Sequence, residues 1–238
     1  IDLTKEINRK TVLNKLNLSA PKGRIHGLIG SNGAGKTTTL KILSGLIPPT
    51  SGIARINNYD VQRTPELAKQ YIGYVPENPR LYGALTVRET LEFVASLNSV
   101  PRDAAEIKIE HYLSSFNLHQ LEDEYTKNLS RGEAQRVLLS SMLVHEPLVL
   151  LLDEPFYTLD PHSQRVFREI LRRKRDNGTT ILVATHLLDL AERLCDSITL
   201  LSKGNTLFDG TLTEVKKKFG QLSLEDMYID LTDDEAVN

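Results

Sequence analysis

The stretch "RIHGLIGSNGAGKTTTLKILSGLI", Arg24 to Ile47, constrains the fold more than any other part of the chain. "RIHGLIG" reads as a buried strand, and "KTTTLKILSGLI" reads as a helix closed by Gly45 and Pro48-Pro49. Between them, Gly30 to Thr38 fits G-x-x-x-x-G-K-[ST], in the strand-loop-helix setting that motif requires. Glycines here let the backbone of Gly30, Ser31, Asn32, Gly33, Ala34 and Gly35 approach an anion closely. The N-terminus of the helix, with Thr38 in its first turn, adds partial positive charge. Lys36 can reach the β- and γ-phosphates of a nucleotide, and the Thr37 hydroxyl can bind Mg²⁺.

The last third of the chain alternates between the two periods. Strands are expected at Leu148–Leu152, Thr180–Thr185 and Ser197–Leu201, with helices at Pro161–Asp176 and Leu187–Leu194. Such alternation means a parallel sheet covered by helices. Before the phosphate loop, the residues up to about Arg24 read as short strands. Gly52 to Asp60 reads as a further strand pair, and "YIGYVP" as a buried strand. From Thr86 to about Glu146 the period is helical, with caps at Thr86 and Ser130 and no convincing strand. The whole, 1–238, reads as one domain with a short appendage after Gly210 and a frayed end from Asp233 to Asn238.

"LVLLLDEP" is an aliphatic run ending in two acids, as suits a central strand buried on both faces. Ligands bind at the carboxyl ends of such strands. Asp153 there can hold Mg²⁺, and Glu154 can act as general base toward an attacking water. The next strand, "VATH", brings His186 to the same edge as a γ-phosphate contact. At "NLSRGEAQR", Ser130 and Glu133 form an S-x-x-E capping box, and Ala134, Val137, Leu138 and Met142 follow at helical spacing. Gly132 weakens that first turn, while Arg131 and Arg136 frame it with charge. The open question is whether this helix start is only capped or is also meant for an anion.

Lys+Arg 29 against Asp+Glu 31 gives a net charge of −2, which argues against nucleic acid as a partner. The basic run Arg172 to Asp176 suits a helix C-terminus, and Lys216-Lys217-Lys218 reads as a solvated face. Cys195, the single cysteine, is expected to be buried and inert in a helix, and excludes an internal disulfide. The longest aliphatic run, Leu148 to Leu152, is far short of the roughly 20 residues of a membrane helix, so a soluble chain is expected. No methionine stands at position 1, which leaves the natural start open.

Taken together and in order, "GSNGAGKTT", "YVPE", "LSRGEAQR", "LLLDEP", "YTLDP" and "ATH" resemble the Walker A, Q-loop, signature, Walker B, D-loop and H-loop of an ABC transporter's nucleotide-binding subunit. The resemblance covers nearly the whole chain. It implies an α/β P-loop NTPase with a RecA-like parallel core sheet, an N-terminal antiparallel β subdomain and an inserted α-helical subdomain at about 78–147. It also implies an ATPase whose cofactors are ATP and Mg²⁺. In the family, the signature helix faces the γ-phosphate held by a second ATP-binding domain. Ser130, Arg131, Gly132 and Glu133 would thus contact nucleotide in trans, and closure of the pair would drive an integral membrane subunit. The segment from Asn78 to about Glu92 would receive that subunit, placing the chain on the cytoplasmic face of the cell membrane.

Three departures qualify the match. Glu77 stands for the usual Q-loop glutamine and joins Thr37 and Asp153 as a metal-side residue. Arg131 replaces the first signature glycine. Both changes, and the tail "LSLEDMYIDLT", look like the exporter branch that confers bacitracin and lantibiotic resistance, which implies export of a peptide, drug or lipid-like substrate. The aromatic that usually stacks on adenine falls near Ile7, leaving Ile7 and Val12 as apolar contacts and predicting weaker nucleotide binding. Two alternatives stay open: a non-transport ABC ATPase of the DNA-repair or chromosome kind, and a binding-only regulatory nucleotide module.

Overall fold

A computed structural model describes residues 1–78, 80–219 and 223–237. The chain opens with an antiparallel hairpin, β1 (Leu3–Ile7) and β2 (Lys10–Leu16). Asn8 and Arg9 turn it, both at positive φ (50° and 63°), as a two-residue hairpin loop needs. β3 (Ile25–Ile29) is buried along its length and leads through the glycine loop into α1 (Lys36–Leu43). The expected strand pair is β4 (Arg55–Ile56) with β5 (Tyr59–Asp60), followed by α2 (Pro65–Lys69) and β6 (Ile72–Val75).

The middle is helical, as its period predicts: α3 (Val87–Leu97), α4 (Arg102–Ser115) and α5 (Arg131–Val144), which pack against one another. Single turns of 3-10 helix lie between α4 and α5 at His119–Leu121 and Thr126–Asn128. Thr86 and Ser130 both close full capping boxes, with Glu89 and Glu133. Then follow β7 (Val149–Asp153), α6 (Pro161–Asp176), β8 (Thr180–Thr185), α7 (Leu188–Leu194) and β9 (Ser197–Ser202). The chain continues through β10 (Asn205–Thr211), α8 (Leu212–Phe219) and α9 (Leu224–Val237).

One sheet organises these elements, in the order β10-β9-β3-β8-β7-β6. All its neighbours run parallel except the edge strand β10, which is antiparallel to β9. Side chains alternate between its faces. Ile25, Ile29, Leu150, Leu152, Ile181 and Val183 join the core under the helices α3 to α7. Leu28, Leu151 and Leu182 join a second core with α1 and the hairpin residues Leu3, Leu13 and Leu16. Each aliphatic side chain buried this fully stabilises the fold by roughly 1.5–3 kcal/mol. Because the parallel strands share one direction, the ends of β3, β6, β7 and β8 all open on one edge of the sheet.

Three expectations need correction. Cys195 does not lie within a helix but caps the end of α7 in extended conformation, because the chain must turn there to start β9. It is buried as expected, and burial pushes its thiol up to about 12. β10, not expected as a strand, pairs antiparallel with β9 at the sheet edge. Beyond Gly210 the chain is largely helical, and the backbone from 233 continues in α9 to Val237 rather than fraying. The side chains of Lys216 and Lys218, those of 233–237, and Asn238 lie outside the described residues.

Candidate active site

The glycine loop is shaped by close packing. A side chain at Gly30 would put its Cβ 2.3 Å from the Leu201 carbonyl oxygen, and Gly35 sits at φ 116° against Leu13. Lys36, only 6% exposed, folds back to donate to the carbonyls of Gly30 (2.7 Å) and Ser31 (3.1 Å). A cleft of about 490 Å³ opens above it. Asn32, Gly33, Gly35, Lys36, Thr37 and Thr38 form its floor, Val12 one wall, and Glu77, Arg131, Glu154, Tyr157 and His186 the other. Ile7, half-exposed at the end of β1, stands outside this lining.

Glu154 is held from several sides. Its Oε2 accepts from the Thr185 hydroxyl at 2.9 Å, and its Oε1 accepts from the His186 backbone N–H at 3.0 Å. The Nδ1 of His186 lies 2.8 Å from the same Oε1, and the Lys36 ammonium 3.6 Å away. The residue adopts left-handed backbone (φ 46°), with its N–H donating to Ala184 at 2.9 Å. A non-glycine residue in that conformation is held there by its surroundings. Here the bond to β8 and the clamp on the carboxylate supply the hold.

Asp153 is the opposite case. It is fully buried, and neither carboxylate oxygen has a hydrogen-bond partner of ordinary length and angle. Burial pushes it up to about 6; Glu77 and Glu154 add to the rise, while the Thr37 hydroxyl and Lys36 oppose it. The Tyr74 hydroxyl nearby is also buried without a partner, pushed up to about 12 by burial and by Asp153. Leaving a carboxylate so unpaired is costly unless something outside the chain completes it.

At the start of α5, the capping box is internally complete. Ser130 N–H donates to Glu133 Oε2 at 2.8 Å, the Ser130 hydroxyl donates to the same oxygen at 2.6 Å, and Glu133 N–H donates back at 3.4 Å. Those bonds hold the Glu133 carboxyl below its usual range. Ser130 faces solvent, and Gly132 lies against the Thr158 carbonyl. Arg131 departs from its neighbours and enters the cleft. It donates to Asn78 Oδ1 at 3.0 Å and stacks over the Tyr157 ring at 5.8 Å, and that ring lies 5.9 Å from the His186 ring. The structure thus gathers Lys36, Thr37, Asp153, Glu154, His186, Glu77 and Arg131, and leaves Ser130, Gly132 and Glu133 on an outer face.

Sequence reasoning missed Thr185, Tyr157, Tyr74 and Asn78. Thr185 and Tyr157 sat inside motifs already noted, beside the residues that drew attention. The strand-loop-helix phosphate site and the acidic strand end beside it define a P-loop nucleotide-binding protein. The ABC transporter family profile matches residues 13–157. The ABC-type transporter ATP-binding protein EcsA of Bacillus subtilis is 33% identical over 99% of this chain and 96% of its own. The linearmycin resistance ATP-binding protein LnrL of the same species is 31% identical over 92% of this chain and 70% of its own. A solved ATP-binding subunit of an ABC transporter superposes with a TM-score of 0.92 at 33% identity, covering 97% of each chain. This chain belongs to the ABC transporter family as an ATP-binding subunit, which implies ATP hydrolysis coupled to transport through a membrane complex. Among the described residues no helix is long and apolar enough to cross a membrane.

Proposed function

We propose that this chain hydrolyses Mg²⁺-ATP in the cleft at the strand ends and uses closure on a second ATP-binding domain to drive a separate membrane subunit. The observation that carries this is the clamped Glu154 beside the unpaired Asp153 at the mouth of the phosphate loop. In this reading the loop N–H groups and Lys36 bind the β- and γ-phosphates. An arriving phosphate gives Lys36 a second anion and loosens its hold on Glu154, whose carboxylate then takes the proton of the attacking water. His186, already bonded to Glu154, positions it and faces the γ-phosphate. Val12 offers adenine an apolar edge, with Ile7 at its margin.

The residues also suit a magnesium ion. Thr37, Asp153 and, at the cleft rim, Glu77 are oxygen donors of the kind Mg²⁺ takes alongside waters and phosphate. When bound, the ion neutralises charge building up on the phosphates. The fit rests on Asp153, a buried carboxylate whose oxygens make no hydrogen bond of ordinary geometry.

The domain pair is read from α5: Ser130 and Gly132 present the helix start to the outside, where a partner's phosphate would compete with Glu133 for the Ser130 hydroxyl. Residues 1–238 act as one ATP-binding domain, with 78–147 as the helical insertion and 211–238 as an appendage. The site lies at the cytoplasmic face of the membrane. The substrate in this reading is an exported peptide, drug or lipid-like compound, and the name of LnrL, a linearmycin resistance protein, supports the drug among these. The basic run of α6 supports the absence of a nucleic-acid partner, since Lys174 pairs with Glu146 and Arg175 with Asp176 and Asp196.

The test is ATP binding and steady-state ATPase of the chain, alone and with its co-purified membrane subunit, beside Lys36→Ala. Binding and turnover that vanish in Lys36→Ala are expected. Absence of ATP binding in the unaltered chain, or turnover indifferent to the substitution, would overturn the proposal; binding without turnover in every preparation would favour the regulatory module.

A further inference from the structure

The C-terminal helix touches the phosphate loop. Tyr228 lies one turn into α9, and its hydroxyl accepts the Ser31 backbone N–H at 2.9 Å across 197 positions of sequence. The same peptide unit is engaged at its other end, where the Gly30 carbonyl accepts from Lys36 at 2.7 Å. One peptide of the loop is therefore held between the Lys36 ammonium and a phenol from α9. A bond to the N–H polarises the carbonyl and strengthens it as an acceptor, so the two contacts support each other.

α9 is itself firmly seated. Ser223 caps it, accepting from Asp226 N–H at 3.1 Å. Leu224 and Met227 are fully buried in the core, with Tyr228 and Leu231 packed beside them. The helix lies against α7, which begins just after His186. Thus α9 is braced on the helix next to one side of the cleft and bonded to the loop on the other.

We propose that Tyr228 is a positioning residue for the phosphate loop: docked α9 fixes the Gly30–Ser31 peptide and so sets how tightly the loop holds nucleotide phosphate. The inference rests on the reading that ATP binds this loop. In this reading the Ser31 N–H is given to Tyr228 and the other loop N–H groups are left to the phosphates, so α9 becomes part of the nucleotide site without touching nucleotide. Linkage then runs both ways, and ATP occupancy also changes how firmly α9 is docked.

Tyr228→Phe removes the hydroxyl and keeps the ring. With ATP and Mg²⁺ as probe, it should bind roughly three- to tenfold more weakly, the range of one lost neutral hydrogen bond. KM for ATP should rise to match, kcat at saturation should stay within twofold, and the melting temperature should fall by no more than about a few degrees. Hydrogen exchange at the Ser31 amide should quicken. Ser31→Pro, which deletes the donor instead, should weaken ATP binding in the same range, and the double variant should lose no more than either alone. Unchanged ATP affinity in Tyr228→Phe overturns the proposal, whether or not Ser31 exchange quickens. So do losses that add in the double variant, or a fall in kcat and melting temperature with KM unmoved. If the unaltered chain binds no ATP, the nucleotide reading fails instead.

Discussion

Beside the strand ends, Lys36 and His186 both contact Glu154 within the chain, and Lys36 and Glu154 are nearly shut off from solvent. At the start of α5, Ser130 and Arg131 are exposed, and the capping box that fixes the turn leaves its outer face uncovered. The difference follows from what each region is built on. Buried parallel strands fix the direction of the residues that leave them, so the first region is assembled before any ligand arrives. A helix start has only its cap, worth about 1 kcal/mol, and depends on whatever meets it from outside. In the proposed function the first region would be the chemical half of a site and the second the half lent to a neighbour.

The largest effect should come from breaking the clamp where the two halves differ most. Glu154→Gln keeps an oxygen to accept from Thr185 or His186 but cannot take a proton. Single-turnover hydrolysis should fall by about 10²- to 10⁴-fold, the range of a general base, while ATP binding persists. A fall below tenfold would remove Glu154 from that role and leave the clamp as scaffolding.

A second difference is in how each region answers pH. His26 in β3 is buried, with its ring nitrogens 2.8 Å from the hydroxyls of Ser197 and Thr199. Burial lowers its pKa to about 4, and Asp209, 3.9 Å away, only partly opposes this. The unfolded chain takes up that proton near pH 6.5 and the folded chain near 4. The contribution is therefore complete above about 6.5 and lost as pH falls toward 4, amounting to about 2 kcal/mol at pH 5. Urea unfolding at pH 7.5 and pH 5 should show that loss, and His26→Gln should remove most of it. An equal pH dependence in the variant would place the sensitivity elsewhere. The helical segment should answer to salt instead, since Arg88 joins Glu106, Glu110 and Glu122 near its surface.

What could be read from sequence divides along similar lines. β7 and β8 are legible because strands buried on both faces leave aliphatic runs, and β3 because the glycine loop after it marks where the strand must turn. Asp153 and Glu154 follow from the end of such a run. α9 carries a helical signal, with Leu224, Met227, Tyr228 and Leu231 at i, i+3, i+4 and i+7 behind a Ser223 cap, yet in sequence it reads only as a tail like that of the exporter branch. No spacing could bring Tyr228 to Ser31, or Arg131 to Tyr157, because only the folded sheet sets those pairs side by side. Cys195 was misplaced by a single residue of helix, for periodicity does not say where a chain leaves a helix to begin a strand.

Arg131 belongs to both regions, and the smallest of the effects tests what that means. In sequence it is the first helical residue of the exposed turn; in space it reaches the cleft, bonded to Asn78 and stacked on Tyr157. Contacts of that kind at an exposed site contribute about 0.5–1 kcal/mol. They hold the signature turn toward its own cleft, and a partner domain would have to release it. Arg131→Gly should therefore cost little stability and tighten ATP-driven dimerisation by about two- to fivefold, with turnover rising alongside. Sedimentation with ATP and the Glu154→Gln background, which stops hydrolysis, would measure it. Weaker dimerisation would mean that Arg131 contacts the partner rather than restraining the turn, and no change would leave it a helix-end charge.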